Sequence, residues 1–279
     1  MRAAIHIDLD GATDIFRVHG WKYTGETDPL FESGLRNALD FFDANGVRAT
    51  LFVIAQDLED KRKRKFLEDA VRRGHEIGSH TITHRHLTKL SREEKRDEIF
   101  CSRERLSAAL GVEVLGFRAP GFYIDRESLE FIAAAGYSYD SSTFPNADFA
   151  RKVGATSLSP LPNRPLGDRE LIEFCLPAHD PLPFSFHPCF SLLLGTPYFR
   201  IGLRRFAKRE APMILLFHLT DFADPLPSSC LPGLAGRIYT LSHLSARRKL
   251  RACSQMLQLV KDRFEVVPTE ELLAGVTIS

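Results

Sequence analysis

Short apolar runs alternate with helical segments along most of this chain. Ala3 to Leu9 has the composition of a buried strand, and Asp28 is an N-cap for the helical segment that follows. A second strand is predicted from Ala49 to Ile54, and Ser91 with Glu94 forms a capping box for a later helix. Because strands alternate with helices, the pattern predicts an α/β fold with a parallel sheet or barrel and helices outside it.

The length of 279 residues is compatible with one or two domains. No linker or internal repeat is evident, so we expect a single domain over residues 1–279. Residues 144–197 break the alternation, because prolines are frequent and regular runs are few, and we predict an elaborated loop or hairpin region there. The pattern resumes with an amphipathic helix around Tyr198 to Lys208 and the apolar strand Met213 to Phe217.

Acids, histidines and one arginine stand at the ends of four predicted strands. In parallel α/β folds the carboxyl ends of the strands meet at one face, where ligands bind and catalysis occurs. We therefore expect these side chains to lie together in one site. They are Asp8, Asp10, His80, His84, Arg118 and His218.

The segment HTITH places His80 and His84 four residues apart. Either a single helical turn or a tight loop would direct both imidazoles at one ion, with Asp10 as a third ligand. Two histidines and one carboxylate suit Zn²⁺, Fe²⁺, Co²⁺ or Mn²⁺ better than Mg²⁺ or Ca²⁺. The sequence therefore predicts one divalent metal ion, with zinc as the first choice.

At these residues the chain resembles the polysaccharide deacetylase family, the NodB-like, metal-dependent enzymes that remove N-acyl groups from amino sugars. The matching segments are HIDLDG, HTITH preceded by GHEIGS, RAP at residues 118–120, and LLFH ending at His218. The resemblance implies a distorted (β/α) barrel. It also implies that Asp8 is the catalytic base, oriented by Arg118, and that His218 is the general acid. The metal ligands that it implies are Asp10, His80 and His84.

Two positions depart from the family pattern. Gly121 stands where the glycan enzymes usually have tyrosine, so only its backbone N–H is available to an oxyanion. The segment GYSYDSS offers Asp140 but lacks the family's Asp-Trp pair, which leaves Asp140 and Asp221 as candidates to orient His218. The only tryptophan, Trp21, is expected to line the substrate groove. Gly121, Trp21 and Asp140 are thus the predicted substrate-binding residues.

These features predict a hydrolase that cleaves a linear amide, removing an acetyl or formyl group from an amino-sugar-containing glycan, lipid-linked sugar or glycoside. A bound divalent metal activates water for this reaction, a carboxylate takes the proton and a second group protonates the departing nitrogen. Two alternatives stay open. One is a non-haem iron oxygenase, which also uses two histidines and a carboxylate. The other is a glycan-binding pseudoenzyme that does not hydrolyse its ligand.

The formal net charge of +1 gives no overall field that would attract nucleic acid. No apolar run is long enough for a spanning helix, and Asp8 and Asp10 interrupt any secretory signal core. We therefore expect a cytoplasmic protein, with peripheral contact to the inner membrane through the basic helix Tyr198 to Lys208 as an option and the oligomeric state left open. The basic run Lys61 to Lys65 is interpreted as a solvated helix face.

Overall fold

The computed structural model describes residues 1–155, 158–167, 170–178 and 185–276. Its centre is one sheet of eight parallel strands. The strands are β1 (Arg2–Asp8), β2 (Ala49–Val53), β3 (Glu76–Ser79), β4 (Gly116–Phe117), β5 (Tyr139–Asp140), β6 (Ile172–Glu173), β7 (Met213–His218) and β8 (Glu265–Val266).

The strand order is β6-β5-β4-β3-β2-β1-β7, and β8 pairs with the first residues of β1. Tyr139 of β5 and Leu216 of β7 nevertheless belong to one buried cluster, which also contains Ala4 and Phe52. The sheet must curl to bring these strands together. No pairing closes it between β6 and β7 in the part of the chain that the structure describes. The predicted distorted (β/α) barrel is confirmed.

Eleven helices accompany the strands in the described part of the chain, and the largest buried cluster lies between helices and sheet. Two predicted helix starts are present: Asp28 accepts the Phe31 N–H, and Ser91 and Glu94 form a capping box. The helices are α1 (Ala12–Val18), α2 (Pro29–Ala44), α3 (Lys61–Arg72), α4 (Arg92–Leu110), α5 (Arg126–Ala134), α6 (Ala147–Lys152), α7 (Pro188–Leu194), α8 (Thr196–Ala207), α9 (Gly233–Tyr239), α10 (Ala246–Lys261) and α11 (Thr269–Ala274).

Alternate residues of β1 face opposite sides of the sheet. Ile5 and Ile7 join the helix-side cluster, whereas Ala4 joins the cluster inside the curl. His6 and Asp8 share the inner side with Ala4 by this alternation, and both are buried. The polar residues of β1 therefore point into the barrel, towards the other strand ends.

The region 144–197 contains regular elements in its described parts. It holds α6, α7 and the strand β6, which pairs with β5 in parallel. The following helix α8 buries Phe199, Leu203 and Phe206 in the main cluster. None of the described helices is both long and apolar enough to cross a bilayer.

Candidate metal centre

The site begins where β1 ends. Asp8 is the last residue of β1 and is paired across the sheet with His218, the last residue of β7. Asp10 follows two residues later, just before α1, and its side chain is 19% exposed. Because β1 and β7 are adjacent and parallel, their final side chains lie at the same end of the barrel.

The segment from His80 to His84 is a tight loop after β3, not a helical turn. Thr81 and His84 have positive φ angles of 68° and 57°, which residues other than glycine rarely adopt. The turn at Ala55–Glu59 holds this loop, because the N–H groups of Ala55 and Gln56 donate to the carbonyls of Thr81 and Ile82. Both histidines are buried.

Glu98 of α4 holds the same loop from the other side. Its carboxylate accepts the backbone N–H groups of Ile82 at 2.7 Å and Thr83 at 2.9 Å, and also the Thr83 hydroxyl. Glu98 is 2% exposed, and Arg85 balances its charge at 3.2 Å. A buried carboxylate that is bonded in this way fixes the backbone between the two histidines.

Asp10, His80 and His84 converge on one point. Asp10 Oδ1 lies 3.3 Å from His80 Nε2 and 3.2 Å from His84 Nε2, and the three ligand atoms lie within 4.8 Å of one another. Four ligands at zinc bond lengths of about 2.1 Å in a tetrahedron are themselves separated by about 3.4 Å. His84 Nδ1 has no hydrogen-bond partner among the described residues, and His84 Nε2 faces Asp10 Oδ1. These residues therefore fit a divalent ion.

The charges at this point favour a cation. Burial by itself would raise the pKa of Asp10, but the neighbouring His84 and His80 hold it well below its usual range. His80 Nδ1 lies 2.7 Å from the Arg118 carbonyl, to which it donates when Nε2 is the unprotonated nitrogen. In other metal-binding proteins, a hydrogen bond from the ring nitrogen that does not bind the metal orients the histidine.

Arg118 serves the site through two different groups. Its carbonyl orients His80, and its fully buried guanidinium places Nε 3.4 Å from Asp8 Oδ1. The same guanidinium donates to His6 Nδ1 at 2.7 Å, and His6 Nε2 in turn faces the Thr269 hydroxyl at 3.1 Å. Burial lowers the pKa of His6 well below its usual range, with Arg118 adding to the effect, so His6 accepts this bond as a neutral ring.

His218 lies on the other side of Asp8, with 3.9 Å between His218 Nε2 and Asp8 Oδ2. Its side chain is 21% exposed, which leaves it accessible from solvent. Asp221 accepts the backbone N–H of His218 at 2.9 Å, so it positions the chain at His218 without bonding to the ring. Burial raises the pKa of Asp221 to about 6.

Asp140 does not lie at a substrate surface, contrary to the prediction. It is fully buried and pairs across the sheet with Glu173 of β6. Its Oδ1 accepts the Ser142 hydroxyl at 2.6 Å, and burial together with the Glu173 carboxylate raises its pKa well above the usual range. A neighbouring carboxylate and burial both disfavour the ionised form of Asp140, so this residue belongs to the interior of the strand pair and not to a substrate surface.

The other predicted substrate residues lie at the surface. Gly121 is exposed in the turn after Arg118, with φ of 58°. Trp21 is half-buried and stacks on His19, with 4.7 Å between the ring centroids. The centroid of the Tyr239 ring lies 5.9 Å from that of Trp21. A second stack joins His86 and Tyr123 at 4.0 Å, and Tyr123 is 44% exposed.

Sequence reasoning missed His187, which immediately precedes α7. It is 2% exposed, neither ring nitrogen has a hydrogen-bond partner in the described part of the chain, and burial together with the nearby His218 and Arg118 lowers its pKa well below the usual range. It stands in the irregular region, where no local pattern indicated a role. Glu98 was missed as well, because an acid within a helix normally faces solvent.

The family model described as Polysaccharide deacetylase matches residues 23–139, which include His80, His84 and Arg118 but not Asp8, Asp10 or His218. No curated protein sequence matches the chain.

Solved structures share the fold at low sequence identity. A Mycobacterium smegmatis protein described as a polysaccharide deacetylase is 18% identical, with a TM-score of 0.66 over 99% of this chain and 89% of the other. The PuuE allantoinase is 16% identical, with a TM-score of 0.64 over 98% of this chain and 89% of the other. A CE4 family pseudoenzyme from Bacillus anthracis is 14% identical, with a TM-score of 0.51 over 98% of this chain and 66% of the other.

The family match covers the central strand ends of the site, and the shared fold extends over nearly the whole chain. The chain is thus similar to the polysaccharide deacetylase family in sequence over residues 23–139, and it shares its fold with the solved structures.

Proposed function

We propose that this protein is a metal-dependent hydrolase that removes an acetyl or formyl group from the nitrogen of an amino-sugar compound. One observation carries the proposal: Asp10, His80 and His84 converge at metal-ligand distances beside a second carboxylate, Asp8. Amide hydrolysis needs an activated water, a base and an acid. The barrel end supplies a candidate for each.

Asp10, His80 and His84 would hold the ion, which when bound supplies a water acidic enough to attack an amide at neutral pH. Asp8 takes a proton from the attacking water, and Arg118 at 3.4 Å keeps this carboxylate in place. His218, partly exposed and 3.9 Å from Asp8, delivers a proton to the departing nitrogen. The new C–O bond forms when water attacks, the amide C–N bond then breaks as its nitrogen is protonated, and the products are a carboxylic acid and a free amine.

The surroundings of the site favour a ring-shaped substrate. Two ring stacks, His19 with Trp21 and His86 with Tyr123, each include a histidine that follows a proposed ligand in the chain. Tyr123 is 44% exposed and the other three rings are half-buried, and they offer flat ring faces beside polar groups. Binding sites for small molecules combine such faces with a few polar groups that set orientation. An N-acyl amino sugar presents both a ring face and an amide.

The test is a hydrolysis assay on metal-loaded protein. The panel contains N-acetyl and N-formyl amino sugars, with allantoin included because one similar structure is an allantoinase. We expect acetate or formate release that a chelator abolishes and added Zn²⁺ or Co²⁺ restores. Turnover of allantoin alone would replace the amino-sugar substrate with a cyclic amide.

A pseudoenzyme is the second candidate, and two observations favour it. His218 Nδ1 has no hydrogen-bond partner among the described residues, so no carboxylate is seen to orient the proposed acid. One similar structure is also a pseudoenzyme. Stoichiometric metal with sugar binding but no acid release from any member of the panel would establish this function in place of hydrolysis.

A further inference from the structure

Lys63 departs from the basic run in which it lies. The neighbouring residues Lys61, Arg62, Arg64 and Lys65 are exposed, as expected for a solvated helix face. Lys63 is only 9% exposed. A lysine ammonium is buried at this level only when it is paired, so its partners indicate what it does.

The Lys63 ammonium lies between two buried carboxylates. Its Nζ donates to Asp57 Oδ1 at 2.7 Å and lies 3.0 Å from Asp28 Oδ2, and it is 4.5 Å from the centroid of the Phe31 ring. Asp28 is 9% exposed and Asp57 8%. Lys63, Asp28 and Asp57 form a buried ion triad.

Within the triad, Asp28 contacts the segment that carries Asp10. Asp28 Oδ1 accepts the backbone N–H of Ala12, the first residue of α1, at 2.9 Å. It also accepts the Phe31 N–H at 3.1 Å, which caps α2. A side chain at Gly11 would meet Asp28 Oδ2 at 2.0 Å, so the backbone next to Asp10 packs directly on this carboxylate.

Asp57 is linked to the loop that carries the two histidines through the turn in which it lies. Asp57 lies in the turn Ala55–Glu59. The first two N–H groups of this turn donate to Thr81 O at 2.9 Å and Ile82 O at 3.0 Å. Both carbonyls lie between His80 and His84.

We propose that Lys63 is a positioning residue that sets the separation between Asp10 and the His80–His84 loop and so prepares the site for its ion. This inference rests on the proposed metal-dependent function. Without the ammonium, Asp28 and Asp57 become two unpaired buried carboxylates that repel each other. The segments that they hold would move apart, and the three ligands would no longer converge.

The chain offers a matched control. Lys95 of α4 is also buried and also bridges two carboxylates, at 2.7 Å from Asp125 Oδ2 and 3.0 Å from Glu127 Oε2. These partners belong to the start of α5, which carries none of the proposed ligands. Lys95→Met therefore removes the same kind of bridge between α4 and α5, neither of which carries Asp10, His80 or His84.

The experiment measures Co²⁺ and Zn²⁺ dissociation constants by chelator competition, together with the visible spectrum of the Co²⁺ form and urea unfolding of the metal-free protein. We expect Lys63→Met to weaken metal binding by about 10- to 100-fold, the usual effect of losing an outer support of a metal site. The Co²⁺ absorption should weaken or shift in this variant. Lys95→Met should lower the urea midpoint while the dissociation constant and spectrum stay those of the wild type.

Asp57→Asn keeps the shape of the triad and removes one charge, so it replaces Lys63→Met if that variant does not fold, with weaker metal binding again expected. An unchanged dissociation constant in the folded variant, or equal weakening in Lys95→Met, overturns the positioning role. A wild-type protein that binds neither ion overturns the metal-dependent function itself, and the inference with it.

Discussion

Asp8 and Asp10 stand two residues apart at the end of one strand, yet their carboxylates have different neighbours. Asp10 lies between two imidazoles at 3.2 and 3.3 Å. Asp8 lies 3.4 Å from the Arg118 guanidinium and 3.9 Å from His218. Strand β1 ends at Asp8, and the chain leaves the sheet before Asp10. The end of the strand gives the two acids different surroundings, and for this reason we propose a separate role for each.

The paired substitutions Asp8→Asn and Asp10→Asn test this division, since each removes one charge without changing the shape. Asp8→Asn should retain the metal and lower kcat by about 10²- to 10⁴-fold, the usual contribution of a general base. Asp10→Asn should lose the metal, because a neutral amide is a poor third ligand. Metal analysis of the gel-filtered variants and steady-state kinetics distinguish them. Metal loss in Asp8→Asn would mean that the two roles are exchanged or shared.

His218 should matter after water has attacked, when the leaving nitrogen needs a proton. His218→Ala is therefore expected to lower kcat with little change in metal content or substrate affinity. The alkaline limb of the pH–rate profile should disappear, because that limb reports loss of the protonated acid. The measurement is kcat as a function of pH in wild type and variant. If the alkaline limb persists in His218→Ala, another group delivers the proton.

At the scale of elements, His75 links two neighbouring strands. It immediately precedes β3, and its Nδ1 accepts the N–H of Ala49, the first residue of β2, at 3.1 Å. Burial lowers the pKa of His75 to about 4. A neutral ring is needed for this bond, because a protonated imidazole has no acceptor.

The pH dependence of stability follows from this lowered pKa. The unfolded chain protonates this histidine below about pH 6.5, while the folded protein resists protonation until about pH 4. The contribution of the neutral His75 ring to the free energy of unfolding is complete above pH 6.5 and is lost as the pH falls to 4. A pKa lowered from 6.5 to about 4 corresponds to a loss of about 3 kcal/mol. Urea unfolding across this range should show a correspondingly shallower pH slope for His75→Asn, whose amide oxygen still accepts the Ala49 N–H. Equal slopes in the two proteins would contradict the lowered pKa.

At the scale of the whole molecule, the three proposed ligands come from two segments, one with Asp10 and one with His80 and His84, that are far apart in the chain and adjacent only when the barrel is formed. An ion that binds only the folded state stabilises it by mass action, by about 2.7 kcal/mol at a free concentration of 100 times Kd. For a chain of 279 residues this should raise Tm by about 5 to 10 °C.

Thermal unfolding with and without Zn²⁺ checks this expectation. His84→Ala is the control, because it removes one ligand and should abolish most of the shift. A Tm that does not respond to Zn²⁺ in the wild type, or that rises equally in His84→Ala, would show that the ion binds elsewhere or not at all.

Much of the site follows from local sequence. His80, His84, Asp10 and His218 stand beside strand ends, and parallel strands bring such ends together whatever the details of packing. The structure accordingly places them at one end of the barrel. Asp140 stands beside a strand end by the same rule, yet the neighbouring strand presents Glu173, and the two acids are buried together. That neighbour is a two-residue strand without a recognisable pattern.

The sequence by itself determined the alternation of strands and helices, the helix starts at Asp28 and Ser91 and the order of the site motifs, because each depends on residues a few positions apart. Only the tertiary structure decided which charged groups are buried. Lys63 lies in a run of basic residues of which four are exposed, and Glu98 lies in a helix with many other charged residues. Whether such a group faces water or a buried partner depends on segments far away in the chain, and that pairing energy exists only once the fold brings them together.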